Sequence, residues 1–74
     1  MAELLTIEDK VSVINQHKKN LEYSKYNIEL SILEESSIST PDQELLNSYN
    51  SQMAEVTKRI KVLDDELASI TPIE

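Results

Sequence analysis

Seventy-four residues with a formal charge of −7, 39% apolar and 28% charged side chains make one small soluble domain, neither a disordered chain nor a membrane span. The chain has no cysteine, which excludes disulfides, zinc–thiolate centres and thiol catalysis. It has no glycine either, which excludes phosphate-cradling and EF-hand loops and leaves an all-helical fold as the architecture that loses least.

The opening MAELLTIEDK has no basic segment leading into a long apolar run, and no window approaches ~18 apolar residues; a cytoplasmic protein without a membrane partner is expected. The first helix-start signal is Thr6-Ile7-Glu8-Asp9. Thr6 can cap the free amides, and the two acids sit in the positive first turn. The spacing predicts a helix over 7–35. Along it Leu4, Ile7, Val11, Ile14, Lys18, Leu21, Lys25, Ile28 and Ile32 recur at alternating intervals of three and four. That is an a/d heptad seam with lysine at two of its a positions.

A turn over 36–40 follows, and Thr40-Pro41-Asp42-Gln43 restarts the helix. Thr40 reads as the cap, Pro41 as the first helical residue and Gln43 as the second member of a capping box. The second helix is predicted over 41–70, with a stop at Thr71-Pro72. Its seam is unbroken: Leu46, Tyr49, Met53, Val56, Ile60, Leu63, Leu67 and Ile70. With a link this short, antiparallel neighbours are the simplest packing of the two helices. The expected fold is therefore an all-α, antiparallel two-helix hairpin with a coiled-coil-like seam in a single domain spanning 1–74. A core this small supplies only ~3–5 kcal/mol, so association into a four-helix or larger bundle is also expected, with a dimer favoured.

Residues 23–33, YSKYNIELSIL, carry more apolar side chains than the seam needs. The alternation Tyr26, Ile28, Leu30, Ile32 would suit a strand, but no turn signal precedes it and the heptad phase runs through Ile28 and Ile32. With Ile28 at d, Tyr23 and Leu30 occupy f positions while Tyr26 and Leu33 occupy b positions. These four form a second apolar stripe on the back of the first helix and are the candidate protein interface.

Five of the seven basic residues, Lys18, Lys19, Lys58, Arg59 and Lys61, are expected in one belt at mid-hairpin, with acidic clusters toward both ends. The belt is a candidate anion-binding site. Local pairing with Glu22, Glu55 and Asp65 is the simpler account. His17 stands alone, and the adjacent pairs Glu34-Glu35 and Asp64-Asp65 do not converge on a helix surface. No catalytic residue, metal site or cofactor is expected.

The function expected from these features is a non-enzymatic protein–protein interaction module: a small hairpin oligomer that binds and modulates another protein. A phage or mobile-element accessory protein acting on a host factor would suit such a chain. The rival readings are a nucleic-acid binder through the lysine–arginine belt and an acidic mimic of nucleic acid that blocks a DNA- or RNA-binding enzyme.

Overall fold

A computed structural model describes residues 4–71. Two helices, α1 (Ile7–Ser36) and α2 (Gln43–Ile70), pack against each other as an antiparallel hairpin. Among the described residues there is no strand, and no helix is long and apolar enough to cross a membrane.

The entry to α1 is the one predicted, in stronger form. Thr6 Oγ1 accepts from the Asp9 amide at 3.0 Å, and Asp9 Oδ2 accepts from the Thr6 amide at 3.1 Å. This reciprocal capping box satisfies two of the amides that a helix start leaves without partners.

The entry to α2 differs from expectation. The helix begins at Gln43, two residues later than predicted, and its cap is Asp42, not Thr40. Asp42 Oδ1 accepts from the Glu44 and Leu45 amides at 3.0 and 3.2 Å. Its own amide donates to Glu35 Oε2 at 2.8 Å across the link. A carboxylate that serves two amides in the positive first turn is a stronger cap than a hydroxyl. The Glu35 contact holds Asp42 in place from the other helix. Pro41 thus belongs to the link.

The link itself needs no left-handed residue. Ser37 closes α1 in the right-handed region, its amide shared between the Glu34 and Glu35 carbonyls and its Oγ donating to the Glu34 carbonyl at 2.8 Å. No described residue has a positive φ, which is how a chain without glycine turns back on itself. At the far end Thr71 leaves the helix in an extended conformation, with its amide and Oγ1 both donating to the Leu67 carbonyl. Pro72, the other half of the predicted stop, lies outside the described residues.

Burial follows the heptads. On α1 the half-buried residues include Val11, Ile14, Lys18, Leu21, Lys25, Ile28 and Ile32; on α2 every predicted seam residue is covered at least in part. Two corrections apply at the ends. Leu4 lies ahead of the helix and is exposed, and Ile7 keeps the phase but is exposed too, because α2 stops at Ile70 and offers the first turn of α1 no counterpart. The phase also continues past Ile32 to Glu35, which is half-buried and works through its carboxylate.

Only Val56 is fully buried among the described residues. The molecule measures 58 × 26 × 15 Å, so its thinnest dimension is little more than the ~10–12 Å diameter of one helix. It is a single layer of two helices whose seam is open along both edges.

Candidate interaction surface

The predicted stripe stands on the outer surface of α1. Tyr23 and Tyr26 are each 60% exposed, Leu33 65% and Leu30 37%. Their b and f positions point almost directly away from the a/d seam that packs on α2. Over its last three turns α1 is therefore apolar on two opposed sides. From the exposed fractions, the four side chains present on the order of 450 Å² of contiguous surface, an area typical of a contact site on a small protein.

The edges of the hairpin have a different character. Along one edge the seam opens into two shallow grooves. The first, of about 580 Å³, has Ile28 and Val56 as its floor and Ser24, Asn27, Ser48 and Gln52 among its walls. The second, of about 410 Å³, lies nearer the open end and is lined by His17, Asn20, Leu21, Arg59, Val62 and Leu63. His17 thus flanks the seam. Val62 escaped sequence reasoning: it lies off the a/d lines and is exposed, and its position outside the seam pattern was the available signal.

The basic residues do not form a single belt. Lys18 reaches across the seam to form an ion pair with Asp64 Oδ1, about a turn beyond the Arg59 that a register centred on residues 36–40 places opposite it. The later start of α2 and the length of the lysine side chain account for the displacement. Lys61 pairs with Asp65 at 3.3 Å, one turn along its own helix. Arg59 lines the grooves of one edge. By heptad phase Lys19 and Lys61 belong to the opposite edge, and Lys58 to the back of α2. Lys19, Lys58 and Arg59 form no ion pair with a described residue. The five cations at mid-length are thus divided, with Lys18, Lys19 and Lys61 toward one edge, Arg59 on the other and Lys58 on the back of α2, and two of them are already paired with carboxylates.

Among the described residues no group of three or more histidine, aspartate or glutamate side chains is placed to hold a metal ion. No family model, curated protein or solved structure matches this chain. The surface chemistry of the hairpin therefore carries the functional argument.

Proposed function

We propose that the chain is a non-enzymatic protein–protein interaction module, a helical hairpin working as a small oligomer that recognises another protein through the outer face of α1 and alters what that protein does. The observation that carries this reading is the exposure of Tyr23, Tyr26, Leu30 and Leu33 on one side of a helix whose opposite side already packs on α2. Aromatic side chains in such a patch supply large contact areas at low entropic cost. A small accessory protein, of the kind phage and mobile elements direct at host factors, is the setting that the size and composition suit. The dispersal of the lysines and arginine around the hairpin, and the net charge of −7, favour a protein partner over a nucleic acid.

The test is affinity capture from native lysate, with and without nuclease, using the wild-type chain and a Tyr26→Ser/Leu30→Ser variant whose helicity is checked by circular dichroism. Protein retained after nuclease and lost with the double substitution supports the reading. Capture that the substitutions leave unchanged, or bound RNA or DNA that disappears with nuclease, overturns it.

A further inference from the structure

We infer that the outer stripe of α1 is first occupied by a second copy of this chain, which packs antiparallel about a two-fold axis level with Ile28. The inference rests on the reading of the stripe as a protein contact surface and names the occupant that a partner protein displaces when it binds there.

The first argument is area. The chain exposes 5914 Å², about 1,200 Å² more than the ~4,700 Å² that a compact monomer of this mass presents. A standard protein interface covers ~800 Å² on each partner; the four stripe side chains supply a little over half of that, on the order of 450 Å², and the residues flanking them on α1 supply the remainder. With only Val56 fully buried among the described residues, two lone helices of this length have little to hold them together. The fold itself therefore calls for a companion that is present whenever the chain is, and another copy of the chain meets that condition. The grooved edge of the hairpin is walled at its middle by serine, asparagine and glutamine, and its apolar part, Leu21, Val62 and Leu63, is short and broken by His17, Asn20 and Arg59. The stripe is the surface suited to supplying the missing apolar contact.

The second argument is the symmetry of the stripe. Tyr23 and Leu33 lie equally far from Ile28 on either side, and so do Tyr26 and Leu30. A two-fold axis at that level places each tyrosine against a leucine of the other copy, a self-complementary contact of the kind closed dimers use. A parallel pair in register would instead set tyrosine level with tyrosine and leucine level with leucine. In the antiparallel arrangement the positions flanking the stripe also meet their own equivalents. Asn27 then approaches Asn27 of the other copy on one side, and Glu29 approaches Glu29 on the other. The asparagine amides can exchange hydrogen bonds. The two glutamates repel, which weakens this arrangement in a way that a parallel pair or an unrelated occupant does not share.

The experiment is sedimentation equilibrium of the full chain across the micromolar range, with helicity followed in parallel. The wild-type chain should run as a dimer that dissociates on dilution, and Tyr26→Ser/Leu30→Ser as a monomer. Glu29→Gln, which leaves the stripe intact, should lower the dimer Kd by about three- to fivefold at low salt and by less at high salt, as expected for relief of one exposed like-charge contact. A folded wild-type monomer throughout the range would overturn the inference. It would leave the interaction reading standing if lysate protein were still captured and lost with the stripe variant. A dimer indifferent to the stripe substitutions would overturn it as well. A dimer lost with the stripe but unaffected by Glu29→Gln would overturn the antiparallel two-fold.

Discussion

Lys18 of α1 and Asp64 of α2 are joined by an ion pair across the seam. The lysine occupies an a position that the heptad pattern reserves for an apolar side chain. Its stem lies half-buried along the seam while its ammonium emerges to meet the carboxylate, so one residue serves packing and charge together.

Two substitutions separate these roles. Asp64→Asn leaves the lysine stem in place and removes only an exposed charge contact, and should lower stability by less than about 1 kcal/mol. Lys18→Leu fills the a position with an apolar side chain and should raise the urea midpoint. The same change should broaden the range of oligomers seen by sedimentation, because a polar a residue restricts register and stoichiometry at a cost in stability. A single sharp species with a lowered midpoint would contradict this account of Lys18.

The caps of α2 are equally separable. Asp42→Ala removes the acceptor of the Glu44 and Leu45 amides and should cost about 1 kcal/mol in urea denaturation. Thr40→Ala should be close to neutral, since Thr40 lies in the link. The opposite order of effects would return the cap to Thr40 and the helix start to Pro41.

Val56 and Val62 lie less than two turns apart on the same helix and differ in what they touch. Val56→Ala takes two methyl groups out of the one fully buried site among the described residues and should cost about 1.5 kcal/mol. Val62→Ala, on the exposed rim of a groove, should change the midpoint little in the isolated chain. A loss at Val62 as large as that at Val56 would show that the groove is covered in solution.

The belt makes a prediction by its dispersal. A labelled single-stranded RNA should show no saturable binding at physiological salt, and Lys58→Glu with Arg59→Glu should change neither that result nor the capture of a protein partner. Tight binding that falls steeply with salt and disappears with the double reversal would revive the belt as a site.

The seam, the two-helix count, the capping role of Thr6 and the second apolar face of α1 were all legible in the sequence. Each depends on which residues lie three or four apart on one helix, and that relation is local. Contacts between the helices were not legible in the same way. Thr40 and Asp42 are both good caps on paper; Asp42 is the one used, and its amide is held by Glu35, seven residues away on the other helix. Likewise, spacing made Lys18 a candidate for pairing with Glu22 on its own helix, yet its partner is Asp64 on α2. The exposure of Ile7, which keeps perfect phase, depends on where α2 ends. Periodicity establishes which face of a helix is apolar. How far that face is covered, and which carboxylate a lysine or an amide finds, depends on the offset between two helices, because distances across the seam change with every residue by which one slides past the other.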